Sequence, residues 1–169
     1  KPGEEIDLVL FINGLPIVTM ELKNPWTGQN ARVHGQHQYR KQRDNQQPLL
    51  QFARCIVHFA VDTNEAYMTT KLAGEKTYFL PFNKGNKHGK GNPELPFGDT
   101  GHRTQYLWDE VFTRESLANI IQHFVRLDGK KKDPLNGKTL FFPRYHQMDV
   151  VRKILADASE KGVGQTYLI

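Results

Sequence analysis

The stretch IDLVLFINGLPIVTMELK, residues 6–23, contains two apolar, β-branched runs on either side of the turn dipeptide Asn13-Gly14. This pattern predicts a β-hairpin. Three charged residues lie within the runs, although aspartate, glutamate and lysine are depleted in strands. They are Asp7, Glu21 and Lys23. Charges inside a strand pattern require a specific reason, and a functional site is one such reason.

The register of the hairpin decides whether the two carboxylates meet. Antiparallel partners have a constant sum of residue numbers, so pairing Asp7 with Glu21 centres the hairpin on Gly14 and requires an odd loop. We predict the three-residue loop 13–15. In that register one face carries Asp7, Val9, Phe11, Ile17, Thr19, Glu21 and Lys23, and the apolar core face carries Ile6, Leu8, Leu10, Ile12, Val18, Met20 and Leu22. A two-residue turn would instead send Glu21 to the face away from Asp7.

The paired carboxylates suggest a metal site. Two carboxylates a few ångströms apart repel each other, and a divalent cation bound through their oxygens is the usual remedy. Asp7 and Glu21 are therefore candidate magnesium ligands. Lys23, on the same face, would lie where an ammonium can stabilise phosphorane charge or orient an attacking water. A solvated hairpin end with a surface salt bridge explains the same pattern equally well.

The next part of the chain predicts an α/β fold. Residues 29–43 are polar and helix-compatible, with Gly35 as the weak point of the helix. Residues 54–62 are apolar on both faces, which is typical of a central strand, and residues 66–72 form its expected hairpin partner. The expected result is a mixed sheet with a crossover helix.

The second half of the chain alternates breaker-rich loops with helices. Residues 73–105 contain too many glycines and prolines for regular structure, and this long loop is either DNA-facing or disordered. Its basic residues include Lys84, Lys87, His88 and Lys90. Apolar residues at helical spacing predict helices over about 116–127 and 144–160, the second ended by Gly162.

Composition fits a soluble domain without a membrane span. The net charge of +5 suits a polyanionic partner without demanding one. Basic clusters at 40–43 and 130–132 could contact phosphates, although the second is better explained by solubility.

The single cysteine, Cys55, excludes an internal disulfide, fits a reducing compartment and is interpreted as a core residue. Because both ends fall on strand-like runs, we expect a fragment of a longer polypeptide.

Asp7 on one strand and Glu21-Leu22-Lys23 on the next resemble the PD-(D/E)xK nuclease core. The wording ELKNP at residues 21–25 resembles one branch in particular, the restriction and translocation (R) subunit of type I restriction enzymes. Three further stretches resemble the same family and extend the resemblance over nearly the whole chain. They are FARCIVHFAVDT at 52–63, EAYMTT at 65–70 and FPRYHQ at 142–147.

The resemblance implies a role for each candidate residue. Asp7, Glu21 and Lys23 would be catalytic, and Mg²⁺ or Mn²⁺ would be held by Asp7, Glu21 and the main-chain carbonyl of Leu22. The family's Q-x-x-x-Y motif for DNA contact departs by one residue here, because Gly35 stands four residues before Tyr39. The DNA-binding candidates, with a neighbouring basic residue, are therefore Gln36, Gln38, Tyr39 and Arg40.

The resemblance also implies three parts. Residues 1–105 would be a nuclease core with the long loop 73–105, truncated at its N-terminus because only six residues precede Asp7. Residues 106–140 would be a helical linker. Residues 141–169 would start a helicase-like motor domain, with Gln147 and Arg144 reading ATP in the full-length protein and a strand over 164–169. The phosphate-binding loop of such a motor does not occur among these residues.

The function implied by the resemblance is metal-dependent cleavage of double-stranded DNA, coupled in the full protein to ATP-driven translocation. The implied partners are double-stranded DNA and the methyltransferase and specificity subunits of a type I restriction complex, in the cytoplasm of a bacterium or archaeon. The alternative is a DNA-binding or coupling module that does not cleave in this truncated form.

Overall fold

A five-stranded mixed sheet forms the centre of the computed structural model, which describes residues 5–87 and 89–168. Its strands are β1 (Leu8–Ile12), β2 (Leu15–Leu22), β3 (Val57–Val61), β4 (Ala66–Thr69) and β5 (Leu80–Pro81), in the order β1-β2-β3-β4-β5. Strands β2 and β3 are parallel, and the other neighbours are antiparallel. The predicted mixed α/β sheet is confirmed.

The hairpin has the predicted register at its open end, but its turn differs from the predicted one. Leu8 pairs with Met20 and Leu10 with Val18, which is the register that brings Asp7 towards Glu21. The predicted three-residue loop is wrong, because Ile12 pairs with Leu15 and leaves a two-residue turn. A bulge between Leu10 and Phe11 adds one residue to the opposite strand and restores the parity.

Both faces of β2 are covered, as expected for a strand inside a sheet. Val18 and Met20 lie in the main core, which confirms the predicted apolar face at these positions. Thr19 and Glu21, on the other face, are also fully buried. Leu22 is a correction to the predicted core face, because it lies at the strand end with 40% of its surface exposed.

The crossover from β2 to β3 is helical, as predicted, but much of it has wide turns. It contains the two π-helical segments Ala31–Gly35 and Gln38–Gln42. Gly35 N–H donates to the Asn30 carbonyl at 3.1 Å, and Arg43 N–H donates to the Gln38 carbonyl at 3.0 Å. Such turns rotate the following side chains relative to an α-helix, and they are frequent at functional sites.

Gly35 allows this helical segment to lie directly on the sheet. A Cβ atom at Gly35 would lie 2.9 Å from Ala60 Cβ and 3.5 Å from Lys23 Cγ. Contacts this short force the helix away from β3, since Ala60 is fully buried and cannot yield. The residue that looks like a helix breaker in the sequence is therefore required by packing.

We expect Gly35→Ala to lower the free energy of unfolding by about 1–3 kcal/mol, because overpacking outweighs the gain of up to about 1 kcal/mol in helix propensity. Chemical denaturation would measure the loss. Gly137→Ala is the matched control, since its nearest neighbour, Pro134 Cγ, lies at an ordinary 3.6 Å. The packing account would be wrong if both variants were equally stable.

The second half of the chain also follows the predicted pattern. Helix α1 (Arg114–His123) and helix α2 (Tyr145–Lys161) confirm the two predicted helices, and Gly162 follows the second. The end of the first prediction is wrong, because β6 (Arg126–Asp128) pairs there with β7 (Thr139–Phe141) as a separate ribbon. The loop 73–105 has little regular structure apart from β5, and its His88 lies outside the described residues.

One hydrophobic core crosses the predicted boundaries at 105/106 and 140/141. Val18 and Phe59 of the sheet share this core with Leu107 of the predicted linker, and with Phe142 and Met148 of the predicted motor segment. The three predicted parts are therefore packed together. Residues 164–168 do not form the predicted motor strand, and Ile169 lies outside the described residues.

Two smaller expectations concern Cys55 and membranes. Cys55 is buried, and burial raises the pKa of its thiol to about 11, so it has the character of a core residue. Within residues 5–87 and 89–168, none of the helices is long and apolar enough to cross a bilayer.

Candidate active site

The structure brings the three charged residues of the hairpin together. Asp7 lies just before β1, Glu21 lies in β2, and Lys23 follows β2 directly. Lys23 Nζ lies 3.5 Å from Asp7 Oδ2 and 3.8 Å from Glu21 Oε2. The ammonium therefore stands between two carboxylates that come from different strands.

Main-chain hydrogen bonds hold these groups at the end of the strands. The Leu22 N–H donates to Asp7 Oδ2 at 2.7 Å, which ties the start of β1 to the end of β2. The Lys23 N–H donates to the Val61 carbonyl at 2.8 Å and continues the parallel pairing beyond β2. Backbone pairing thus orients the site, which restricts the mobility of its side chains.

Glu21 is a buried carboxylate with an arginine partner. Its side chain is fully buried, and Oε1 accepts a hydrogen bond from Arg43 Nε at 2.6 Å. Burial raises the pKa of Glu21 to about 7, against the lowering effect of Arg43, and the nearby charge of Asp7 raises it further. Ionising this side chain at neutral pH therefore costs free energy that a bound cation would offset.

The arrangement fits a divalent cation. Glu21 Oε2 is buried and has no hydrogen-bond partner, and it faces the same ammonium as Asp7. Across the described parts of the chain, no three His, Cys, Asp or Glu side chains are grouped to hold a metal, so two carboxylates are the side-chain ligands on offer. Main-chain, water and substrate oxygens complete such sites for magnesium. The Leu22 carbonyl stays a prediction as one of them.

The predicted DNA-binding residues have different environments. Tyr39 is fully buried, and its hydroxyl lies 2.8 Å from Thr19 Oγ1, so a direct contact between this side chain and DNA is not available. Gln36 is also buried. Arg40 Nε donates to the Thr77 carbonyl at 2.9 Å, and its guanidinium covers Phe79. Gln38 Oε1 is buried without a hydrogen-bond partner.

Tyr39 instead belongs to a buried polar chain beneath Glu21. Thr19 Oγ1 lies 2.7 Å from His58 Nδ1, and Thr19 also contacts the Tyr39 hydroxyl. Burial lowers the pKa of His58 to about 4, so the imidazole is neutral at physiological pH. Burial also raises the pKa of Tyr39. This neutral network stabilises the strand that carries Glu21 without adding charge to the site.

Arg43 is the site residue that the sequence interpretation missed. The basic run 40–43 pointed to phosphate contacts, whereas the structure places Arg43 on the buried carboxylate 22 residues earlier. Its side chain is 9% exposed. A glutamate within a buried strand was the available signal, because such a charge requires a partner. The identity of that partner is not encoded in local spacing.

The predicted ATP-reading residues lie at the start of α2. Arg144 N–H donates to Gln147 Oε1 at 2.9 Å, so this amide oxygen acts as part of the helix start. Gln147 is exposed beside a cleft of about 320 Å³ that also includes Arg126, Phe141 and Val151. Its ATP-reading role stays a prediction.

The fold and the site together are consistent with an endonuclease-like domain, in which two acids and a lysine meet at the ends of neighbouring strands. Residues 1–77, which include β1 to β4 and all three charged site residues, match the family model for the type I restriction enzyme R protein N terminus (HSDR_N). That part of the chain is therefore similar to the N-terminal region of these R proteins. Comparisons with curated proteins and with solved structures found no match.

Proposed function

We propose that this chain is the nuclease region of a type I restriction R subunit and cleaves phosphodiester bonds of double-stranded DNA with Mg²⁺ or Mn²⁺. The observation that carries the proposal is the position of Lys23 Nζ within 3.8 Å of both the Asp7 and the Glu21 carboxylate, in a segment with the R-protein match. The fold supplies the rigid strand ends that such positioning needs.

Each residue has a distinct part in the proposed reaction. Asp7 Oδ and Glu21 Oε would hold the cation, which when bound supplies Lewis acidity and lowers the pKa of water. Lys23 Nζ, beside both carboxylates, would orient the attacking water and stabilise the negative charge that develops on the phosphate. Arg43 positions Glu21 and favours its ionised form, which is the form that binds a metal.

The wider assignments belong to the same proposal. The partners would be double-stranded DNA and the methyltransferase and specificity subunits, with cytoplasmic localisation. ATP would be read by Gln147 in the full-length protein, and translocation would be driven by a motor outside the sheet. Gln38 would be the DNA-contacting amide, while Gln36 and Tyr39 support the site from inside.

Plasmid nicking tests the cleavage directly. We expect supercoiled DNA to be nicked in Mn²⁺ or Mg²⁺ and to stay intact in EDTA, and we expect Asp7→Asn to abolish nicking. Isothermal calorimetry should show that Asp7→Asn weakens Mn²⁺ binding by at least about tenfold, or 1.4 kcal/mol. Asp128→Asn in β6 is the control and should behave as the wild type. Equal Mn²⁺ affinity in all three proteins would contradict the metal assignment.

A second candidate function is a DNA-binding or coupling module without cleavage. The observation that favours it is the 2.6 Å contact from Arg43 to Glu21, which occupies one oxygen of a proposed metal ligand. Duplex binding without metal-dependent nicking would support this alternative over the nuclease.

A further inference from the structure

A basic cleft of about 530 Å³ opens beside the loop 73–105, separate from the carboxylate site. Its volume lies within the range of ligand pockets. The side chains that matter for its chemistry come from four separate parts of the chain. They are Arg32, Glu65, Tyr67, Lys90, Arg144 and His146.

Strand register places the cleft on the same face of the sheet as the carboxylate site. Glu21 pairs with Ala60, Ala60 pairs with Tyr67, and Tyr67 pairs with Pro81, so these four residues form one row across the sheet. Paired residues share a face, and neighbouring strands lie about 4.8 Å apart. Tyr67 in the cleft is thus about 10 Å from Glu21 along this row.

Three cationic side chains that line the cleft form no ion pair within the described residues. Among residues 5–87 and 89–168, Arg32, Lys90 and Arg144 have no ion pair, whereas Lys84 at the cleft wall is paired with Glu110 at 2.5 Å. Like charges brought together repel, and an anion in the cleft would relieve the repulsion.

The carboxylate of Glu65 also lines the cleft. Its Oε2 accepts a hydrogen bond from the Tyr67 hydroxyl at 2.8 Å. One oxygen of the Glu65 carboxylate is therefore already hydrogen-bonded to Tyr67. The cleft also has more cationic side chains than carboxylates. The first turn of α2, next to Arg144 and His146, adds the positive end of a helix of 17 residues.

We infer that this cleft binds the phosphate backbone of the DNA duplex on the same side of the sheet as the proposed cleavage point. The inference rests on the proposed function, because it requires DNA at the carboxylate site. Arg32, Lys90 and Arg144 are the phosphate-contacting side chains.

A charge-matched pair of triple variants tests the inference. The cleft variant is Arg32→Gln/Lys90→Gln/Arg144→Gln, and the control is Lys130→Gln/Lys131→Gln/Lys132→Gln, which removes the same charge from a loop outside the cleft. Binding of a labelled duplex is measured by fluorescence anisotropy at several salt concentrations without divalent metal. A third variant, Arg32→Lys/Arg144→Lys, keeps the positive charge of the cleft. Thermal unfolding checks that all three variants fold.

We expect the cleft variant to bind at least tenfold more weakly and to lower the salt slope by about 2–3, because each lost phosphate contact removes about 0.9 from it. The control should stay within about threefold of the wild type, and the lysine variant should recover most of the affinity. Equal weakening by both triple variants would show general electrostatic attraction and overturn the inference. Unchanged duplex affinity in the cleft variant, with loss of binding to ATP or tripolyphosphate, would also overturn it.

The outcome is separable from that of the nuclease proposal. If the wild type nicks DNA with metal and the cleft variant binds and nicks equally well, the cleft inference fails and the nuclease stands. If the cleft variant loses duplex binding and the wild type never nicks DNA, the cleft stands and the nuclease fails.

Discussion

Replacing Lys23 by alanine is expected to lower metal-dependent cleavage by at least about 100-fold, since groups that stabilise developing charge contribute about 10²–10³ to catalytic rates. The ammonium lies within 3.8 Å of both carboxylates, and within residues 5–87 and 89–168 no other lysine forms an ion pair with either of them. Duplex affinity should change little, because the side chain is only 9% exposed. Single-turnover nicking at saturating Mn²⁺, together with anisotropy, measures the two effects separately.

Lys41→Ala is the matched control for this variant. Lys41 lies on the crossover helix and forms an exposed ion pair with Glu75, so its loss should leave cleavage unchanged. The free energy of unfolding of the Lys23→Ala variant should also stay within about 1 kcal/mol of the wild-type value. Glu21 retains its ion pair with Arg43, and Asp7 is partly exposed to solvent. Cleavage by the Lys23→Ala variant at the wild-type rate would contradict the catalytic role proposed for Lys23.

The second large effect concerns stability and its dependence on pH. Arg43→Leu is expected to lower the free energy of unfolding by about 3 kcal/mol at pH 8, because removing one partner of a buried ion pair leaves the other charge uncompensated. At pH 5 the loss should be below about 1 kcal/mol, because Glu21 is then protonated in the folded protein. Urea denaturation at both pH values measures the difference.

The direction follows from the pKa of Glu21. Burial raises it from 4.5 to about 7, so the folded protein holds more protons than the unfolded chain between these values, and stability falls as the pH rises through that window. Arg43 lowers this pKa, so its removal raises the pKa further and extends the fall above pH 7.

Two controls accompany the Arg43 variant. Arg54→Leu removes an exposed arginine and should show no such dependence on pH. Glu21→Gln combined with Arg43→Leu should recover much of the loss at pH 8, since the buried charge is gone. A loss at pH 5 as large as that at pH 8 would mean that Arg43 acts by packing and not by charge.

Much of the fold is predictable from local patterns. The hairpin, the central strand, its antiparallel partner and the two late helices all follow from apolar spacing and turn residues, and the structure confirms them. The predicted loop length of the hairpin was wrong, because a bulge can supply the one extra residue that the register requires just as a longer loop can. The predicted C-terminal end of α1 was wrong, because Arg126–Asp128 forms a strand that pairs with Thr139–Phe141, a segment remote in sequence.

The sequence by itself determined the alternation that brings Asp7, Glu21 and Lys23 to one strand end, because side chains in a strand repeat every two residues. Only the tertiary structure decided what surrounds them. Arg43 is the partner of Glu21, Tyr39 is buried on Thr19, and Gly35 lets the helix touch Ala60. These contacts depend on the packing of the crossover helix against the sheet, which no local period encodes.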